Sequence, residues 1–181
     1  MDKILRGEKV ILRPIELEDT DNIIKWRNNK EVSEKFIYRE TFTRESHLYW
    51  MNNKVKTGEV IQFIIHSVED NVDVGSIYMR DIDMSKKEAE YGIFIGEDVS
   101  RGRGLGIESI KLMLKYAFEE LLLDRVTLRV YKDNIPSIKS HEKAGFKIVS
   151  EIRDVVSSDG KKADMYIMEV TKSVHNDAGT Q

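Results

Sequence analysis

The sequence predicts a mixed α/β (α+β) domain, a mostly antiparallel sheet of six to seven strands flanked by about four helices. Three observations carry that prediction. Apolar side chains recur at a period of two in several short segments, as strands with one buried face require. They recur at three- and four-residue spacing in others, the longest beginning near Leu105, as helices require. Turn residues separate the two kinds, and the elements then run β, α, α, β, β, β, α, β, α, β, β.

Taken in order, Lys9 to Ile15 (KVILRPI) reads as a first strand closed by Pro14. Glu18 and Asp19 stand at a helix start, and Ile23, Ile24 and Trp26 supply its apolar side. A second helix runs from about Thr43, a suitable N-cap, to Val55, with Leu48 and Met51 at helical spacing. Between them lies KEVSEKFIYRETF, an irregular apolar stretch whose Phe36, Ile37, Tyr38 and Phe42 could fill the core or line a substrate cleft. Val60 to Ser67 suits a strand buried on both faces. Val72 to Ile82 follows after a polar turn, and the two lead into a third strand as an antiparallel meander.

That third strand is EAEYGIFIG. Ala89, Tyr91, Ile93 and Ile95 fall on one face, and Glu90, Gly92 and Phe94 on the other. Beyond it a turn reads R-G-R-G-L-G, and a helix carrying Ile107, Ile110, Leu114, Ala117 and Leu121 begins. Arg125 to Tyr131 alternates Val126, Leu128 and Val130 inward, so a strand returns beside the earlier one after a helical crossover. Asp133 or Asn134 can cap the next short helix, Pro136 fits its first turn and Gly145 ends it. Phe146 to Ile152 and Ala163 to Val170 are the last strands, joined by a turn containing Asp159-Gly160. The 181 residues therefore make one domain over residues 1–170, and residues 171–181 lose the apolar pattern and read as a loose, disordered tail.

Composition excludes several function classes. With no cysteine, disulfides, a thiol nucleophile and thiolate metal sites all fall away. His47, His66, His141 and His175 show no ligand spacing, so no metal is expected. A net charge of -3 with scattered basic residues gives no footprint for nucleic acid. No apolar run approaches the roughly eighteen residues of a membrane span, and the N-terminal stretch lacks the apolar core of a secretion signal, so the cytoplasm is the expected location.

The turn carries the chemistry. Gly102, Gly104 and Gly106 let backbone amides approach a ligand, and the first amides of the following helix attract anions. Arg101 and Arg103 add two positive charges, so a pyrophosphate suits the turn. The spacing fits neither the dinucleotide pattern G-x-G-x-x-G nor the P-loop pattern G-x-x-x-x-G-K-[ST]. It resembles instead the [RQ]-x-x-G-x-[GA] loop of the GCN5-related N-acetyltransferases (GNAT), with Arg101, Gly104 and Gly106 on the signature positions. The segment from Asp133 to Phe146 and the closing D-G-x-x-x-D-M-Y-x-M are similar to that family too, as is the element order over about residues 8–170. Within it, the chain most resembles the branch of ribosomal-protein N-terminal, spermidine and aminosugar acetyltransferases.

The resemblance implies a sheet splayed at its central strands, with acetyl-CoA as cosubstrate in the gap. The backbone of Ile93, Phe94 and Ile95 would pair with the pantetheine arm, residues Arg101, Gly102, Arg103, Gly104, Leu105 and Gly106 would hold the pyrophosphate, and Asn134 and Ser137 would meet the pantetheine arm. The implied reaction is transfer of acetyl to a primary amine of a small molecule in a ternary complex. An ammonium must lose its proton before it attacks, the oxyanion needs a donor, and the departing thiolate needs an acid. Glu90 is the candidate base, acting through water. At the family's usual tyrosine acid this chain has His141, which could replace the phenol; Tyr131, Tyr91 and Tyr166 are the alternative donors.

The stretches from Trp26 to Val32 and from Glu45 to Trp50 look like the acceptor-forming region of nucleotide-linked aminosugar acetyltransferases. Trp26, Arg27 and Tyr38, with Glu90, are therefore the candidate substrate-binding residues. An aromatic-arginine pair suits a base and phosphate, whereas a polyamine needs clustered carboxylates, which Glu31, Glu34, Glu40 and Glu45 could supply. A peptide N-terminus is a further acceptor, and a non-catalytic acyl-CoA-binding module the reading from another class. Apolar strands near the C-terminus could pair in a homodimer.

Overall fold

The computed structural model describes residues 3–178. A short hairpin opens the chain, β1 (Leu5–Arg6) and β2 (Val10–Pro14). Three helices follow, α1 (Thr20–Asn28), α2 (Lys30–Ser33) and α3 (Arg44–Trp50), the last continued by a π-helical turn to Val55. Thr43 caps α3 as its sequence suggests, accepting from the Ser46 amide at 3.1 Å while Ser46 Oγ accepts from the Thr43 amide. The meander is β3 (Ile61–Ser67), β4 (Val72–Asp83) and β5 (Glu88–Ile95). Then come α4 (Leu105–Lys115), with a π-helical turn to Glu120, β6 (Arg125–Tyr131), α5 (Ile135–Lys143), β7 (Lys147–Val156), β8 (Lys162–Thr171) and α6 (Lys172–Ala178).

These strands form one sheet in the order β1-β2-β3-β4-β5-β6-β8-β7, antiparallel except between β5 and β6. It has eight strands among the described residues, where six to seven were expected: β1 is two residues long, too short to show a period. The loose tail is also corrected. Thr171 ends β8, and the residues after it form α6, whose Val174 packs against the core and whose His175 ring lies 5.2 Å from that of Phe118. Residues 179–181 lie outside the described residues.

The alternation along the strands sorts the core into two layers. One face, under α4 and α5, buries Leu12, Phe63, Ile65, Ile77, Tyr91, Ile110, Met113, Leu128 and Phe146. The other, under α1 to α3, buries Ile23, Trp26, Met51, Ile64 and Phe94. Neighbours Phe63 and Ile64 go to opposite layers, as a period of two demands. Burying a side chain such as Phe94 contributes about 2 kcal/mol.

One discontinuity matters for function. β5 and β6 pair only over Glu88↔Arg125, Ala89↔Val126 and Glu90↔Thr127. The β4–β5 ladder continues to Ile95 and the β6–β8 ladder to Tyr131. Beyond Glu90 and Thr127 the two halves of the sheet part, and a gap opens toward the glycine turn.

Candidate active site

The glycine turn owes its shape to backbone conformation. Gly102 and Gly104 have φ of 76° and 85°, where a side chain is strained, yet a Cβ at Gly102 would meet nothing within 4 Å and one at Gly104 only Lys9 Nζ at 3.6 Å. The space before them is open. Gly104 is the N-cap of α4 and supplies no side-chain cap, so the first helical amides have no such partner and suit a phosphate. Leu105 anchors the turn in the core. These features fit the pyrophosphate of a CoA.

The two arginines of the turn are already engaged. Arg101 pairs with Glu31 and with Asp98 at 2.8 Å, and its Nε donates to the Ile95 carbonyl at 3.2 Å. Arg103 pairs with Glu69 and Asp70, each at 2.6 Å, and holds the Asp70 carboxyl below its ordinary pKa. Their charge is therefore shared with four carboxylates, and a phosphate must compete for it.

At the other end of the gap stands Glu90. Its carboxylate accepts from Arg80 of β4 at 2.6 Å and from Arg129 of β6 at 3.0 Å, so three neighbouring strands converge on one ion cluster. Burial raises its pKa, the two guanidiniums outweigh that, and the carboxyl lies below its ordinary value. Tyr78 of β4 lies beside the cluster; a Cβ on Gly92 would come within 2.5 Å of the Tyr78 ring, so only glycine leaves room there. Burial raises the Tyr78 pKa, and the charges it feels are those of Arg80, Arg27, Glu90 and Arg129.

His141 is placed against the role of acid expected of it. It is 4% exposed, in edge contact with the rings of Tyr91 and Phe146. Its Nδ1 lies 2.7 Å from the Ser137 carbonyl, which can only accept, so the single proton of the neutral ring sits on Nδ1 and Nε2 has none to give. Burial lowers its pKa to about 4 despite that hydrogen bond, and near neutral pH the imidazole is uncharged. Ser137 Oγ lies 3.3 Å from the same nitrogen, and Asn134, half-buried, is the N-cap of α5.

Two buried hydroxyls nearby, Tyr91 and Tyr131, have no hydrogen-bond partner. Tyr91 stacks on Phe146 at 5.4 Å, and burial pushes its pKa well up. Tyr131 lies four residues past Thr127, as Phe94 lies four past Glu90, so the two stand across the gap from each other. Arg39 lies over the Tyr131 ring, 5.3 Å from its centroid.

The expected substrate residues divide. Trp26 is 1% exposed, packs on Phe94 and donates its indole N–H to Glu97 at 2.7 Å, as a residue of the core beneath α1. Arg27, on the next position of α1, is 7% exposed, its guanidinium 3.4 Å from the Phe36 centroid and 4.6 Å from that of Phe42. Tyr38 is exposed at the rim, its hydroxyl donating to Glu40 at 2.8 Å and its carbonyl accepting from Arg27 at 3.2 Å. Sequence reasoning missed Arg39, Tyr78, Arg80 and Arg129. The signal available for the last two was their place in strands flanking that of Glu90.

Comparison with known proteins agrees with this architecture. The family model of the GNAT acetyltransferase domain matches residues 9–147, and the chain belongs to that family of acetyltransferases. It is 28% identical over 172 residues to the uncharacterized N-acetyltransferase p20 of Bacillus licheniformis, covering 93% of this chain and 96% of that one. With an N-acetyltransferase 9-like protein of Nematostella vectensis it shares 27% over 163 residues, 81% of this chain and 79% of that one. Among solved structures, a spermidine N-acetyltransferase of Vibrio cholerae in complex with CoA and spermine superposes with a TM-score of 0.86 at 19% identity, over 94% of this chain and 99% of that one. The fold is thus that of the GNAT acetyltransferases. Among the described residues no cluster of three His, Asp or Glu side chains could hold a metal, and no helix is long and apolar enough to cross a membrane.

Proposed function

We propose that this chain transfers an acetyl group from acetyl-CoA to a primary amine of a small molecule, by direct attack with both substrates bound. The observation that carries this reading is the parting of β5 and β6 beyond Glu90 and Thr127, with a turn suited to phosphate at one end of the gap and an ionised carboxylate at the other. Acetyl-CoA supplies an activated acyl thioester. The amides of Gly102 to Gly106 would hold its pyrophosphate, the free edge of β5 at Ile93, Phe94 and Ile95 its pantetheine arm, and Asn134 and Ser137 the opposite wall.

Glu90, kept ionised by Arg80 and Arg129, accepts from the incoming ammonium and orients it, while water carries the proton away. The Tyr131 hydroxyl, buried across the gap from Phe94 with the Arg39 guanidinium beside it, donates to the departing sulfur. His141 positions: its rings and hydrogen bond fix α5 against β5.

The reading is tested by release of free CoA from acetyl-CoA over a panel of amines comprising polyamines, aminosugars free and nucleotide-linked, and peptides with free N-termini. Release that depends on a small amine supports it; release with peptides alone would make the chain an N-terminal acetyltransferase. Acetyl-CoA bound with no release from any amine would mean a non-catalytic binding module. Within that assay, Tyr131→Phe is expected to lower kcat about a hundredfold while acetyl-CoA affinity stays the same, and an unchanged kcat would remove the assignment. Because the turn arginines are shared with carboxylates, replacing Arg101 and Arg103 together by Gln is expected to weaken acetyl-CoA binding by no more than about tenfold, measured by calorimetry. No change at all would leave the pyrophosphate to the amides alone.

A further inference from the structure

Arg27 is a buried cation without an anion. One nitrogen of its guanidinium donates to the Tyr38 carbonyl at 3.2 Å; the other terminal nitrogen, Nη1, is buried and has no hydrogen-bond partner. No carboxylate among the described residues pairs with it, while rings of Phe36 and Phe42 cover its plane. A guanidinium does not shed its proton at neutral pH, so an interior site without a counter-ion is unfavourable unless something else repays it. Burial lowers its pKa to about 10, still far above neutrality.

Its position says what the counter-ion belongs to. Arg27 and Glu90 both lie close enough to Tyr78, whose ring packs on Gly92, for their charges to act on its hydroxyl. The cover over Arg27 is the irregular segment from Phe36 to Phe42, fastened to the β7–β8 turn: Ser158 donates its amide to the Ile37 carbonyl at 2.9 Å, and the Arg39 amide donates to Ser158 Oγ at 2.7 Å. Arg39 also reaches Asp159 at 3.2 Å. Around Arg27 and the Glu90 cluster, Arg27, Arg39, Arg80 and Arg129 stand against Glu90, Asp159 and the exposed Asp81, 3.5 Å from Arg80.

The carboxylates that could have received a polyamine are dispersed. Glu31 is held by Arg101, Glu34 lies 3.9 Å from Lys30, Glu40 accepts from Tyr38, and Glu45 stands in the first turn of α3. A polycation entering here would meet an excess of positive charge.

Resting on the N-acetyltransferase reading, we propose that the acceptor is an amine that also carries an anionic group, a phosphate or a carboxylate, and that Arg27 binds this group while Glu90 faces the amine. The anion lifts the Phe36–Phe42 cover from the guanidinium and takes the place at Nη1 that none of the described residues fills. A phosphorylated or nucleotide-linked aminosugar and an amino acid both meet this description; spermidine does not.

Two measurements separate this proposal from the reading beneath it. In the first, kcat/KM is compared for matched amines, glucosamine against glucosamine 6-phosphate and ethanolamine against phosphoethanolamine and β-alanine, with spermidine alongside. The anionic member is expected to lead by at least tenfold, phosphate over carboxylate or the reverse naming the source of the charge, and Arg27→Met to collapse that lead through KM while Arg27→Lys keeps part of it. Equal rates within each pair, or a lead for spermidine, would overturn the proposal and leave acetyl transfer standing. The second measurement needs no turnover: with acetyl-CoA saturating, inorganic phosphate or acetate should raise the melting temperature of the chain but not of Arg27→Met. The variant should itself melt no lower than the parent, since it loses an unpaired buried charge. A chain whose melting temperature responds to neither anion, or one that responds equally with Met at position 27, would overturn the proposal whatever the amine panel shows.

Discussion

Between pH 7.5 and pH 4 the chain is expected to lose about 3 kcal/mol of stability relative to its His141→Gln variant. The cause is burial. In the unfolded chain the imidazole titrates near 6.5, but in the fold its pKa falls to about 4, because protonation would place a charge among Tyr91, Phe146 and the Ser137 carbonyl. The native state thus holds the neutral ring. Its contribution is fully present above pH 6.5, where neither state binds the proton, and drains away as pH falls and the unfolded state takes up a proton the native state refuses. Below the folded value of about 4 the loss stops growing. Burial also lowers the pKa of His47 and His175, with the same sign, but those residues are common to both proteins and cancel in the difference. Urea unfolding at intervals of half a pH unit would measure it. A flat difference would mean that the ring titrates in the fold as it does in the unfolded chain, near 6.5, and would restore it as a proton donor at the position its place in the sequence suggests. At pH 7.5 the same variant should keep most of its turnover, unlike Tyr131→Phe.

What was legible in the sequence was local. The alternation of EAEYGIFIG gave the two faces of β5 correctly, because side-chain direction along a strand depends only on position. The proline and terminal glycine of α5, and the positive φ of Gly102 and Gly104, follow from residue chemistry over a few positions, although Asn134 stands at the N-cap without a side-chain capping bond. What was not legible depends on register or on distant partners. Arg80 and Arg129 meet Glu90 only because Arg80 pairs with Glu90 across β4 and β5, and because β6 stands in parallel register with Thr127 opposite Glu90. The neutralisation of Arg101 and Arg103 comes from Glu31, Glu69 and Asp70, which sit in loops and a short helix far away in the chain. Arg27 reads from the sequence as a candidate for substrate binding, with nothing to show that it is buried. Its burial needs the cover from Phe36 to Phe42, a segment with no period at all. The tail was misread for a related reason: α6 is too short to show a face of its own and is helical against Phe118 and Gly145.

Replacing Glu90 by Gln should lower kcat/KM about a hundredfold and stability by about 2 kcal/mol, and the two losses should respond differently to a second substitution. The side chain is 21% exposed and joins Arg80 and Arg129, each about a third exposed; without its charge the two guanidiniums face each other with only the exposed Asp81, 3.5 Å from Arg80, to offset them. That exposure keeps the cost below the 3 to 5 kcal/mol of a fully buried pair. Removing Arg129 as well, in Glu90→Gln/Arg129→Gln, should recover about half of the stability, because one of the two repelling charges is gone. It should not recover activity, because the group that faces the ammonium is still missing. The pH dependence has a definite sign. A carboxyl whose folded pKa lies below its unfolded value of about 4.3 stabilises the fold above that pH and ceases to as pH falls through the folded value, so parent and variant should differ by a constant amount from pH 6 to 8. For the same reason Glu90 does not titrate near neutrality, and the acid limb of the rate profile belongs to the acceptor. Two amines whose own pKa values differ by one unit should shift that limb by one unit. A limb that stays in place when the amine is changed, and disappears in Glu90→Gln, would instead make Glu90 the titrating base, with substrate binding drawing the arginines off its carboxylate.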